Sequence, residues 1–292
     1  FDPSKALILS GDPRGGSTWL AELVSGLQGT AMLWEPLDIV NVSQFRALGF
    51  AWRQYIPESG DWPEAQDLFE SLFRGQLLNG HIGLRTSASH VKRAEQLFVK
   101  FCRANQLLPW LVRQFGFTRP PIYLVRHPCA VIASQMKQGG WDHVPSRFEI
   151  PDCRYEQFYR EYEDYLLGIN TVEQRLAAHW CLCNGVPLKH KDNDRSWITM
   201  TYESLLTDAD SELARIERRW NVAFPKEVRA SVGVASRSTL ESSPVAKGRQ
   251  TEQLGLWRQR LSDDQIQNIL SVLDYFEIDL YTDDFLPTRT FD

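Results

Sequence analysis

Long hydrophobic runs are missing from this chain: no apolar stretch in its 292 residues approaches the roughly 18 that a membrane-spanning helix needs. Internal repeats and low-complexity tracts are also absent, which excludes a solenoid or a largely disordered chain. Cationic excess is lacking as well. Lys and Arg total 32 against 37 Asp and Glu, a net charge of −5, so a general nucleic-acid binder is excluded and any basic site must be local. Cysteine is sparse, with Cys102, Cys129, Cys153, Cys181 and Cys183 giving an odd count without metal-ligand spacing. Cys181 and Cys183 form CxC, which is neither a zinc knuckle nor a redox CxxC. These read as reduced, partly buried thiols of a cytoplasmic protein. No secretory leader pattern opens the chain, yet Phe1 is not an initiator methionine. A Golgi-lumenal protein and a domain excised from a larger one therefore stay open. No His/Asp/Glu cluster suggests a metal.

What is present is an ordinary globular composition, 43% apolar and 24% charged, in a chain long enough to bury a large core without staples. No linker is evident, so residues 1–292 are expected to form one domain. Ala6–Leu9 reads as a strand buried on both faces, followed by a glycine-rich turn over Gly11–Gly16 and a helix opened by Ser17 or Thr18. Further strands are expected at Ala31–Trp34, Ile82–Leu84, Pro121–Val125 and Trp197–Thr201. Helical periodicity marks the chain after Pro128, from about Tyr155 to Cys183, over Ser211–Trp220 and over Asp263–Phe276. Strands alternating with helices imply an α/β fold, a three-layer α/β/α sandwich around a parallel sheet. Its ligands should sit at the C-terminal ends of the strands.

The first loop, Ser10-Gly-Asp-Pro-Arg-Gly-Gly-Ser-Thr-Trp19, stands where such a fold holds phosphate. Glycines admit backbone N–H groups close to an anion, and the helix that follows adds a partial positive charge. Gly11 and Gly16 have the spacing of a nucleoside-triphosphate loop, but Ser17 occupies the lysine position and the cation sits earlier, at Arg14. The bland alternative is a glycine turn with Arg14 in solvent. Farther on, Ile122-Tyr-Leu-Val-Arg-His-Pro128 ends a strand and begins a helix, with Ser134 about two helical turns after Arg126. A strand-end arginine and a serine on the next helix can grip one phosphate.

These segments resemble the sulfotransferases that use 3′-phosphoadenosine 5′-phosphosulfate (PAPS). Pro13-Arg14-Gly15-Gly16-Ser17-Thr18-Trp19 is similar to their 5′-phosphosulfate loop (PKSGTTW or PRSGSTxL), and Leu124–Ser134 to their 3′-phosphate motif LVRDPRAVxxS, with His127 where aspartate is usual. Thr201-Tyr-Glu-Ser-Leu-Leu206 resembles RYEDLL, and Val245–Arg249 with Trp257-Arg258 resembles the C-terminal basic loop. The motifs stand in the family's order, closest to the carbohydrate and tyrosylprotein branches. The resemblance implies a P-loop-kinase-like sulfotransferase fold and PAPS as co-substrate without a metal. It also implies residue roles: Arg14 at the sulfuryl end, Gly16, Ser17 and Thr18 on the 5′-phosphate, and Gly15 among the cofactor-binding residues of the same loop. Trp19 and Tyr202 would flank adenine, and Arg126, Ser134, Lys247, Gly248 and Arg249 would surround the 3′-phosphate.

An acceptor hydroxyl must lose its proton as it attacks sulfur. The cytosolic branch uses the histidine of a KTH motif after the third strand, and here the stretch after the expected third strand is Arg85-Thr86-Ser87, with His90 close by. Glu35, at the end of the second strand, resembles the glutamate of the FEP motif in the Golgi branch and is the preferred base. The alternative for Glu35 is a structural pair with Arg14 or Arg85. His81, His143, His179 and His190 lack partnering motifs, and Trp52, Trp62 and Trp141 lie where they would wall an acceptor cleft or simply pack. The acceptor is expected to be a small molecule or glycan, a carbohydrate or related polyol being favoured over a lipid, a natural product or a carrier-bound acyl chain. A P-loop kinase is the first rival and lacks its lysine; a non-catalytic nucleotide-binding module is the second.

Overall fold

A computed structural model describes residues 1–138, 147–232 and 251–292. Among them five short strands form one sheet in the order β2-β3-β1-β4-β5, every neighbour parallel. They are β1 (Leu7–Gly11), β2 (Thr30–Trp34), β3 (Gln96–Phe101), β4 (Ile122–Val125) and β5 (Ile198–Thr201). Each is buried along nearly its whole length, which is why they read as continuous apolar runs rather than alternating ones.

Helices cover both faces. On one side α1 (Ser17–Val24) packs on Leu7, Leu9, Phe98, Leu124 and Met200 together with two later helices. On the other side α2 (Pro63–Phe73) covers Ala6, Ile8, Leu33 and Val99. A short helix, α3 (Ala88–Arg93), leads into β3, and α4 (Leu108–Phe115) follows it. Tyr123 and Val125 pack against α5 (Pro128–Lys137), α6 (Val172–Leu188) and the last helix. The helices behind β5 are α7 (Tyr202–Thr207) and α8 (Ala209–Trp220), and the last is α9 (Asp263–Tyr275). The result is the expected three-layer sandwich.

Two expectations are corrected. The third strand is Gln96–Phe101, not Ile82–Leu84. Asn79 Oδ1 accepts the N–H groups of His81 and Ile82, and Gly83 donates to the Asn79 carbonyl, so this stretch is a turn. It touches the sheet through the Ile82 carbonyl, which accepts from Trp34 N–H at 2.9 Å, and through the buried Ile82 side chain. The helical stretch expected over Tyr155–Cys183 is broken instead into Gln157–Arg160, Glu163–Gly168 and α6. The Thr171 hydroxyl caps α6 by accepting from Gln174 N–H, a competing local bond that ends one helix and starts another.

Candidate active site

The strand ends put the two loops side by side, because β1 and β4 are neighbours. In the first loop Arg14 takes a left-handed backbone, φ 70°, and Gly16 takes φ 89°. A side chain at Gly16 is excluded twice over: its Cβ would stand 2.3 Å from the Tyr202 ring in a conformation that L-residues avoid. Gly16 caps α1, whose first N–H groups have no partner within the helix.

The second loop meets the first directly. Arg14 Nε donates to Ser134 Oγ at 3.0 Å, and Arg126 Nη1 donates to the Arg14 carbonyl at 3.1 Å. The Arg126 guanidinium lies 4.2 Å from the Tyr202 ring centre, and Trp19 meets the same ring edge-on at 6.0 Å. Burial, and then the neighbouring Arg126 charge, lower the pKa of Arg14. Among the described residues neither arginine forms an ion pair with a carboxylate. Arg126 Nε and Trp19 Nε1 are buried donors without acceptors, a rare state that a bound group would relieve. Two close cations and two unsatisfied donors suit an anion with several charges.

Glu35 sits at the tip of β2 with φ 42°, its N–H held by the Lys100 carbonyl at 2.8 Å. Non-glycine residues at positive φ are strained and gather at functional sites. Its carboxylate does not pair with Arg14 or Arg85. Lys100, fully buried in β3, donates to Glu35 Oε1, and Cys102 Sγ donates to the same oxygen at 3.1 Å. Lys100 Nζ also reaches Cys102 Sγ at 2.8 Å and lies 4.3 Å from the Trp34 ring centre. Burial alone would raise the Glu35 carboxyl; the Lys100 charge and the two hydrogen bonds outweigh it and hold the carboxyl below its ordinary value. Burial pushes the Cys102 thiol up against the pull of Lys100, which keeps it protonated. Ser17 Oγ, 3.8 Å from Cys102 Sγ, ties this cluster to the first loop.

In shape the chain is similar to mouse sulfotransferase SULT7A1 complexed with PAP, at 14% identity over 96% of this chain and 86% of that one, with a TM-score of 0.51. It is similar also to the sulfotransferase domain from the curacin biosynthetic pathway, at 17% identity over 94% and 97%, with a TM-score of 0.50. This is the sulfotransferase fold. No family model matches the chain, and no curated protein matches its sequence.

On the sulfotransferase fold the corrected third strand changes one comparison. Lys100 and Phe101 close that strand and Cys102 follows it, so the stretch to set beside the KTH motif is no longer Arg85-Thr86-Ser87, and it too contains no histidine. His90 is exposed on α3 and contacts Thr86 Oγ1 at 3.5 Å. His127 is the helix cap: its Nδ1 accepts from Cys129 N–H at 3.2 Å while Nε2 faces the Thr282 carbonyl at 3.0 Å. Its ring stacks on Trp257 at 4.8 Å, and burial lowers its pKa to about 4, so it is neutral.

Arg14, Gly16, Ser17, Trp19, Arg126, Ser134 and Tyr202 thus converge. Gly15 stands beside them, its N–H donating to the Asp12 carbonyl at 2.9 Å, and Thr18 follows in the first turn of α1. Lys247, Gly248 and Arg249 lie outside the described residues, as do Trp141 and His143. Three residues were missed from sequence: Lys100, Asp12 and Asn184. Asn184 Nδ2 donates to the buried Asp12 carboxylate, while its Oδ1 accepts from Asn105 at 3.1 Å and from Tyr123 at 2.7 Å. Burial pushes the Asp12 carboxyl up despite the nearby Arg53 charge and the bond from Asn184. This network anchors the start of the first loop to α6. Among the described residues no group of His, Cys, Asp and Glu is arranged to hold a metal ion, and no helix is long and apolar enough to cross a membrane.

Proposed function

We propose that the chain is a sulfotransferase that moves a sulfuryl group from PAPS to an acceptor hydroxyl by in-line displacement. The observation that carries this reading is the junction of the two loops, where Arg14, Ser134 and Arg126 meet and neither arginine pairs with a carboxylate among the described residues. PAPS supplies the activated sulfuryl group when bound. Arg126 and Ser134 select its 3′-phosphate, and the first turn of α1 with Gly16 receives the 5′-phosphate. Trp19 and Tyr202 offer ring faces and edges to adenine.

Glu35 is the base. Both of its hydrogen bonds fall on Oε1, which leaves Oε2 to take the acceptor proton. Lys100 and Cys102 fix the carboxylate's direction and keep it ionised. Arg14 stabilises the charge that develops on the oxygen leaving sulfur, as a preorganised cation should. A carbohydrate or related polyol is the acceptor class that the likeness of Glu35 to the FEP glutamate favours. A kinase reading is disfavoured by Ser17 at the lysine position of the loop.

Calorimetry without Mg²⁺ tests the donor site. Adenosine 3′,5′-bisphosphate should bind about 10–100-fold more tightly than AMP or ATP, since charge-assisted bonds to the extra phosphate are each worth about 1.5–3 kcal/mol. Equal affinity for AMP rejects the assignment.

A further inference from the structure

Arg103 is the cation that this chemistry leaves unused. It follows Cys102 directly at the C-terminal end of β3, on the edge where Glu35 stands. Its guanidinium lies 4.0 Å from the centre of the Trp52 ring, and Trp52 is 43% exposed. Its Nη1 is buried without an acceptor. Glu35 and Asp12 both feel its charge, yet neither forms an ion pair with it among the described residues. Glu35 is held by Lys100 and Cys102, and Asp12 by Asn184.

A guanidinium stacked by one face on an indole keeps its in-plane N–H fork free, and that fork matches a planar or tetrahedral oxyanion. Arg85 stands at the same edge, exposed, 4.9 Å from the Trp34 ring centre, and likewise forms no ion pair among the described residues. Two guanidiniums without an ion pair among the described residues, Arg103 acting on the Glu35 charge and Arg85 over Trp34, are conspicuous in a chain whose net charge is −5. They reverse the local sign where an acceptor would enter.

Resting on the sulfotransferase reading, we propose that the acceptor carries an oxyanion of its own near the hydroxyl that is sulfated, and that Arg103, braced on Trp52, binds it. The acceptor class is then a hydroxylated acid: a sugar acid, a phenolic acid or a hydroxyalkanoate. The second anion remains compatible with an ionised Glu35 because Lys100 and Arg103 both offset the repulsion between the two carboxylates.

The test uses matched acceptor pairs in which the acid is replaced by its neutral amide: para-nitrophenyl glucuronide against the glucuronamide, para-hydroxybenzoate against para-hydroxybenzamide, and a β-hydroxyalkanoate against the β-hydroxyalkanamide. Each is followed by turnover with sulfur-labelled PAPS and by calorimetric titration into protein saturated with adenosine 3′,5′-bisphosphate. In at least one pair the acid should bind or show KM about 10–100-fold better, the worth of a charge-assisted contact. Arg103→Ala should bring that ratio to near one, and Arg103→Lys to an intermediate value, because lysine keeps the charge without the fork. Circular dichroism checks the fold; where the alanine variant does not fold, the lysine variant decides. Neutral members equal or better in every pair overturn the proposal, as does an acid preference that either folded variant keeps in full. Failure to bind adenosine 3′,5′-bisphosphate strikes the sulfotransferase reading itself, whereas nucleotide binding without acid preference strikes only this inference.

Discussion

In the proposed reaction Glu35 is the side chain that takes the acceptor proton. Its partners sit on one oxygen and its backbone is held at positive φ, so the other oxygen is both free and fixed in place. Glu35→Gln should keep nucleotide affinity and slow single-turnover transfer by about 10²–10⁴-fold. Because Lys100 holds the carboxyl low, the wild-type rate should fall only below the ordinary carboxylate range, and the variant should lack that acid limb. An unaltered rate in the glutamine variant assigns the proton to another group. His127 makes a prediction about stability instead. Its folded pKa of about 4 lies under the ordinary 6.5, so between those values the unfolded chain binds the extra proton. The stabilisation is full above pH 6.5 and is lost as pH falls towards about 4, an effect on the order of 3 kcal/mol. His127→Asn puts a capping oxygen in place of Nδ1 but cannot titrate. Urea unfolding at a series of pH values should therefore show a shallower slope in this window, and an unchanged slope removes His127 as its source.

At the scale of elements, α6 does more than cover the sheet. Asn184, wholly buried near its C-terminal end, satisfies Asp12, Asn105 and Tyr123 together. Asn184→Leu keeps the volume and leaves three polar groups short of a partner. At about 1–3 kcal/mol each, urea unfolding should show a loss of about 3–9 kcal/mol, and a loss under 1 kcal/mol would mean that water replaces the amide. The same residue explains what sequence reading can reach. The positions of the two strand-end loops were legible because their logic is local: glycine spacing before Ser17, and an arginine at a strand end ahead of Pro128. Lys100 and Asn184 were not, since their partners Glu35 and Asp12 lie 65 and 172 residues away. A lysine inside Gln96–Phe101 also hid β3, for a charge within a buried strand reads as a break in it. Ile82-Gly-Leu84 supplied a false substitute, being apolar yet closed into a turn by Asn79.

Across the whole molecule, the α/β alternation was legible and the seating of β3 was not, yet that seating decides which side chains meet. Once β3 stands between β1 and β2, Lys100 and Cys102 reach Glu35, and Arg103 is carried to the edge of the cleft. The order of the sheet has another consequence, in time rather than space. β1 is its central strand, but Leu7 pairs with Phe98 and Ser10 with Tyr123. At the usual 5–20 residues per second of synthesis, β1 would wait on the order of 5–20 s for its first neighbour. Through that interval the N–H and C=O groups of its edges lack their partners beside apolar side chains, and such edges invite pairing with other chains. Production of this protein should therefore be limited by what happens on the ribosome, and slower growth or added chaperone should raise the soluble yield more than any change at the active site.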